Sequence, residues 1–144
     1  MLRLFIAAIL LIHTAEACTC EAPKGYEYYI CRNPIAIRAV VKEPSATTSP
    51  RPSDGWDKYE VNIVEVFRNA TDKAIPSVVY TPADEAACGY SFEIGREYLI
   101  FAKPNYQENR PLETKLCDFN KEWSRVPAVV AANLTSGDLA AGCA

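Results

Sequence analysis

Trp56-Asp57-Lys58-Tyr59-Glu60-Val61-Asn62-Ile63-Val64-Glu65-Val66-Phe67 is the stretch whose pattern decides the fold class. Tyr59, Val61 and Ile63 alternate with Glu60 and Asn62, the two-residue period of a strand with one buried face. The period slips at Ile63-Val64, where two apolar residues adjoin, and a β-bulge there would absorb the slip. This strand has company on both sides. Ile35-Ala36-Ile37-Arg38-Ala39-Val40-Val41 is apolar, β-branched and preceded by Pro34, which reads as a strand. Ser77-Val78-Val79-Tyr80-Thr81, closed by Pro82, is a third strand, and residues 97–103 (with Tyr98, Leu99, Ile100 and Phe101) are a fourth. Residues 112–119, carrying Cys117, are a fifth.

The connections carry turn chemistry. Residues 43–55 hold Pro44, Pro50 and Pro52 among Ser and Thr, an exposed loop that serves either as a hairpin tip or as an edge for a partner. Residues 68–73 turn the chain, and residues 83–87 form a short loop of small and acidic residues ending at Cys88-Gly89. Residues 21–30 read as a loop with one helical turn, whose Tyr26, Tyr28 and Tyr29 pack on the core or serve binding. Residues 123–132 read as a helix, with Ser124 as a candidate cap and Pro127 in its first turn. The expected fold is mainly β: a small five-stranded Greek-key barrel of the OB type with flanking helices.

Composition narrows the chemistry. The formal charge of the 144 residues is −3, with no basic block, so nucleic acid is not an expected partner. Residues 1–17 read as a secretory signal peptide. Arg3 gives the positive start, residues 4–12 the apolar run, and Ala15-Glu16-Ala17 the cleavage signal. No second apolar run approaches the roughly 20 residues of a membrane span. The expected product is a secreted, monomeric protein of one domain, residues 18–144. The single histidine, His13, falls in the signal. The mature chain thus lacks the commonest general base and metal ligand, which excludes the usual Ser-His, Cys-His and zinc hydrolases. All six cysteines, Cys18, Cys20, Cys31, Cys88, Cys117 and Cys143, follow the cleavage point, and no C-x-x-C pair exists. Three disulfides are expected, and spacing alone leaves their connectivity open. Asn69-Ala70-Thr71 and Asn133-Leu134-Thr135 are glycosylation sequons, with Asn69 and Asn133 as acceptors.

Cleavage after Ala17 would make Cys18 the first residue, with a free α-amine of pKa about 7.7–8.0. Part of it is uncharged near neutral pH and can donate a lone pair to a metal.

The cysteine surroundings are distinctive. They run Cys18-Thr19-Cys20, Cys31-Arg32-Asn33, Tyr80-Thr81-Pro82-Ala83 to Cys88-Gly89-Tyr90, Glu97-Tyr98-Leu99-Ile100, Leu116-Cys117-Asp118-Phe119 before Trp123, and Gly142-Cys143. In this order they resemble the tissue inhibitors of metalloproteinases, specifically the N-terminal, netrin-like inhibitory domain, over essentially the whole mature chain. The resemblance implies the OB-type barrel and the pairs Cys18–Cys88, Cys20–Cys117 and Cys31–Cys143. It implies that the chain has no cofactor of its own and acts on the catalytic zinc of a target metalloproteinase. That zinc would be chelated by the Cys18 α-amine and carbonyl. Thr19 would enter the specificity pocket, Cys20 and Glu21 would lie along the cleft, and Glu85, Ala86, Ala87 and Cys88 would fill its other side. Extracellular matrix is a second class of partner to be expected from the resemblance. Vertebrate members continue into a second domain with three further disulfides. This chain stops at Ala144, so contacts made by that domain are expected to be absent. Glu21, Ala86 and Ala87 also depart from the better-known members, so target preference does not carry over. The competing expectation is a netrin-like module that binds matrix, growth factors or receptors without inhibiting a protease.

Overall fold

The computed structural model describes residues 17–43 and 54–143. The signal-peptide reading falls, Ala17 apart, outside the described residues, as does most of the proline-rich loop.

Among the described residues six strands form: β1 (Ile35–Val41), β2 (Trp56–Asn69), β3 (Val78–Pro82), β4 (Glu97–Asn105), β5 (Arg110–Glu113) and β6 (Lys121–Glu122). Their order is β1-β2-β3-β5-β4-β6, and a further β1–β4 pairing closes the first five into a barrel. All pairings are antiparallel except β3 with β5, which meet in parallel at Tyr80 and Glu113. The barrel is flanked by the helices α1 (Tyr26–Arg32), α2 (Ala128–Ser136) and α3 (Asp138–Ala141).

The apolar patterning explains the two-layer core. Ile35, Ile37, Ala39 and Val41 of β1 point into the barrel with Val61, Val79, Tyr98, Ile100, Ala102 and Leu112. On the opposite face, Ala36, Leu99 and Phe101 pack beneath Tyr29 and Ile30 of α1, Leu134 of α2 and Leu139 of α3. Strands β1 and β4 are therefore buried on both faces, which is why each reads as a continuous apolar run rather than an alternation.

Strand β2 carries its slip as expected, and a second one beside it. The residues of β2 that face β1 step from Glu65 to Ile63, leaving Val64 as an extra residue, and from Arg68 to Val66, leaving Phe67 unmatched. The second bulge turns Phe67 outward onto the helical layer, where it stacks on Trp123 at 5.8 Å.

Two elements differ from the sequence reading. The fifth strand ends at Glu113, and Leu116–Asp118 is a 3-10 turn. Asp118 causes the break: its carboxylate accepts from the Lys115 amide at 2.8 Å, and Phe119 after it is left-handed at φ 67°. The chain then rejoins the same side of β4 as β6. In the gap, side chains replace the ladder at Phe101. Its amide donates to Asn120 Oδ1 at 3.0 Å, and its carbonyl accepts from Thr114 Oγ1 at 2.7 Å. The late helix is also split. Trp123–Arg125 is a 3-10 turn containing Ser124, and Pro127 is the N-cap of α2 rather than a first-turn residue. Tyr29 belongs to the core, stacked on Phe119 at 4.5 Å.

Candidate functional site at the N-terminal ridge

Residues 17–25 form no regular element. Bridges give this strip its shape. Cys18 is joined to Cys88 and Cys20 to Cys117, with Cα atoms 5.2 and 5.3 Å apart, while Cys31 is joined to Cys143 at 5.0 Å. These are the pairs that the resemblance implies. Neither of the first two bridges ends on a strand, although the sequence pattern places Cys117 in the fifth. Cys88 closes a 3-10 turn after β3, and Cys117 sits in the turn that interrupts β5 and β6. Both anchors are thus turns that project from the strands rather than strand residues.

The two bridges touch: Cys18 Sγ lies 3.9 Å from Cys117 Sγ. Among the described residues, Cys18, Cys88 and Cys117 are a group of metal-ligating type, with sulfurs within 4.8 Å of one another. All are bridged, and a thiolate is what binds metal, so the group is two packed disulfides and not a metal centre.

The second segment of the ridge is built locally. Asp84 Oδ1 accepts from the Ala86 amide at 2.9 Å and starts the turn Glu85–Ala87. Cys88 ends it in the left-handed region at φ 65°, its amide donating to the Glu85 carbonyl at 3.0 Å. The Leu116 amide donates to the Cys88 carbonyl at 2.8 Å, tying the second segment to a third. Thr19, Cys20, Glu21, Glu85, Ala86 and Ala87 are all exposed, whereas Cys18 and Cys88 are half-buried. The Cys18–Cys88 bridge joins the two segments, and Cys18, Glu85 and Ala86 border one recess.

Two recesses adjoin the strip. One, of about 610 Å³, is bounded by Cys18, Asp84, Glu85, Ala86, Tyr90 and Leu116. The other, of about 330 Å³, is bounded by Thr19, Cys20, Glu21, Lys24, Lys103 and Asp118 among others. In the second, Lys24 pairs with Glu21 at 3.4 Å and lies over the Tyr28 ring at 4.3 Å. Its ammonium pKa is raised, first by the Glu21 hydrogen bond. Burial raises the Asp118 carboxyl, opposed by the Lys115 amide and by Lys103 at 3.6 Å. Burial also pushes the Tyr90 phenol up to about 12.

Sequence reasoning quoted Tyr90 and Leu116 among the cysteine surroundings but not as contact residues, and it did not single out Asp84. Asp84 had a signal, an N-cap residue before Glu85-Ala86-Ala87. Leu116 had none: a leucine 41% exposed is legible only once its neighbours are known. The sequon residues lie elsewhere. Asn69 is exposed at the end of β2, its Nδ2 donating to the Lys73 carbonyl at 3.0 Å, and Asn133 is exposed on α2.

The family model described as tissue inhibitor of metalloproteinase matches residues 16–144. Metalloproteinase inhibitor 2 of Canis lupus familiaris is 30% identical over 142 residues, covering 92% of this chain and 62% of that protein. Metalloproteinase inhibitor 3 of Gallus gallus is 31% identical over 114 residues, covering 78% of this chain and 50% of that protein. The chain thus spans between half and two thirds of the length of these two relatives. A relative from Caenorhabditis elegans, 26% identical, is covered over 95% of its length.

Proposed function

This chain belongs to the tissue inhibitor of metalloproteinase family, and on that premise we propose that it is a secreted, stoichiometric inhibitor of zinc metalloproteinases. A catalytic zinc in such an enzyme has three protein ligands and an open fourth position for water or substrate. In this reading the α-amine nitrogen and carbonyl oxygen of Cys18 occupy that position and displace the water that would attack the peptide. Thr19, the exposed residue between the two bridged cysteines, enters the pocket beside the metal. Cys20 and Glu21 follow along the cleft, and Glu85, Ala86, Ala87 and Cys88 line the opposite side.

The observation that carries this reading is the double tether. Cys18 and Cys20 are bridged to two separate projections of the barrel, with sulfurs 3.9 Å apart across the bridges. Chelation by two atoms of one residue needs a fixed main chain, and a chain already fixed loses less entropy on binding. The closure of every described cysteine into a disulfide supports an oxidising, secretory location. Among the described residues no helix is long and apolar enough to cross a membrane.

The test is a titration of protein beginning at Cys18, confirmed by intact mass, against a panel of zinc metalloproteinases. One equivalent should silence a susceptible enzyme. An extra Ala before Cys18, or carbamylation of the α-amine, should abolish inhibition with all three bridges intact. Undiminished inhibition would sink the chelation model. A native protein that silences no enzyme of the panel would favour the netrin-like binding module.

A further inference from the structure

Beneath the ridge lie two residues that the contact scheme does not use, Thr81 and Gly89. Thr81 is fully buried at the end of β3. The chain leaves β3 at Pro82, rises through Asp84 and the turn Glu85–Ala87, and comes back down at Tyr90. There the Tyr90 amide donates to Thr81 Oγ1 at 2.9 Å. Just before it, the Gly89 amide donates to the Asp84 carbonyl at 3.1 Å, pinching the loop at its neck. The neck is tight. A Cβ on Gly89 would collide with the Pro82 carbonyl oxygen and come within 3.1 Å of that of Asp84. Both are main-chain atoms, which cannot swing aside as a side chain can. The loop above the neck is the one that Cys18 is bridged to.

Resting on the inhibitor reading above, we propose that Thr81 and Gly89 are positioning residues: they strap the 84–88 segment down on β3 and so set its height beside Cys18, governing affinity for the metalloproteinase without touching it. The bridge alone cannot do this, because it ties the strip to the loop and not the loop to the barrel. The Leu116–Cys88 bond holds the loop sideways to a second projection. Downward restraint comes from the Tyr90–Thr81 bond and from the close approach that only a residue without a Cβ permits.

The experiment compares Thr81→Val, Thr81→Ser and Gly89→Ala in the full mature chain, each verified to hold three disulfides. Valine keeps the volume but removes the acceptor, leaving the Tyr90 amide without its partner, whereas serine keeps the oxygen. Inhibition should weaken about tenfold in Thr81→Val and at least as much in Gly89→Ala, and stay within about threefold of native in Thr81→Ser. Amide hydrogen exchange supplies a readout independent of any protease. In Thr81→Val, exchange at Cys88 and Gly89 should speed by about tenfold, with Ile37 and Phe101 unchanged. Uniform acceleration across the barrel would reduce Thr81 to general stability and overturn the proposal. So would full inhibition by Thr81→Val, or failure of Thr81→Ser to restore it. Should Gly89→Ala fail to fold, the valine and serine pair still decides the matter. If the native chain inhibits no zinc protease, the affinity claim falls with the functional reading, and the exchange pattern alone then decides whether the strap holds the loop.

Discussion

An α-amine uncovered at Cys18 would titrate at about 7.7–8.0, and only its unprotonated form has a lone pair for a metal. Protonation grows as pH falls, so inhibition is expected to weaken progressively below about pH 7. Inhibition constants from pH 6 to 8, corrected for the protease's own profile, check this; a flat profile counts against an amine ligand. Tyr90 acts at the other end of the scale. Burial raises its phenol to about 12, with the nearby Tyr98 and Glu122 adding to the effect and Arg125 opposing it. Its ring lies 4.5 Å from Phe92. A folded pKa above the unfolded value of about 10 means the neutral form is favoured in the native state. The resulting stability is whole below about pH 10 and lost as pH rises through about 12. Thermal unfolding followed across that window should fall less steeply in Tyr90→Phe than in the native chain. Identical slopes would show that the phenol titrates alike in both states.

Among the elements, the interrupted strand has the most to explain. If β5 had continued to Phe119, Cys117 would lie in the sheet. Instead the chain leaves β4 after Glu113, turns through Leu116–Asp118, and returns as β6. The cost is a break in the ladder beside Phe101, mended by Asn120 and Thr114. Asn120 Nδ2 donates to Thr114 Oγ1 at 2.8 Å, so each patch side chain is itself held. Asn120→Ala would strand the buried Phe101 amide and should cost about 1–3 kcal/mol in urea unfolding. A change near zero would mean that water or a shifted main chain takes over. Arg68 plays a similar bridging part on β2, opposite the same Ala36 that pairs with Phe101. Its guanidinium donates to the carbonyls of Ile30 and Asn33 at 3.0 and 2.7 Å, placing a cation at the C-terminus of α1.

For the molecule as a whole, the three bridges divide by role. Cys31–Cys143 spans 112 residues and ties α1 to the chain just past α3, in the helical layer. Cys18–Cys88 and Cys20–Cys117 span 70 and 97 residues and hold the ridge. Replacing Cys31 and Cys143 together with Ser should lower stability by about 2–4 kcal/mol while leaving inhibition near native wherever the protein is folded. Replacing Cys88 with Ser and Cys18 with Ser should abolish inhibition even at temperatures where the barrel remains intact. Denaturant curves and inhibitor titrations on the same samples separate the two effects. Equal loss of inhibition from both pairs would mean that the ridge depends on the helical layer.

The amino-acid sequence by itself determined the fold class. The alternation of β2, the slip at Val64, the continuous apolar runs of β1 and β4, and an even set of cysteines are local or compositional signals that survive without coordinates. The cysteine surroundings also marked Cys18, Thr19, Cys20, Glu21 and residues 85–88 as candidates. Only the tertiary structure decided that Leu112 to Phe119 is not one strand, because the competing pull is an Asp118 carboxylate on a Lys115 amide and a missing ladder filled by Asn120. Only it brought Asp84, Tyr90 and Leu116 to the ridge, and Thr81 and Gly89 under it. Strand periodicity depends on neighbours two residues apart, so it is written along the chain. The height of a loop depends on what lies beneath it, and those contacts join residues that the sequence keeps apart.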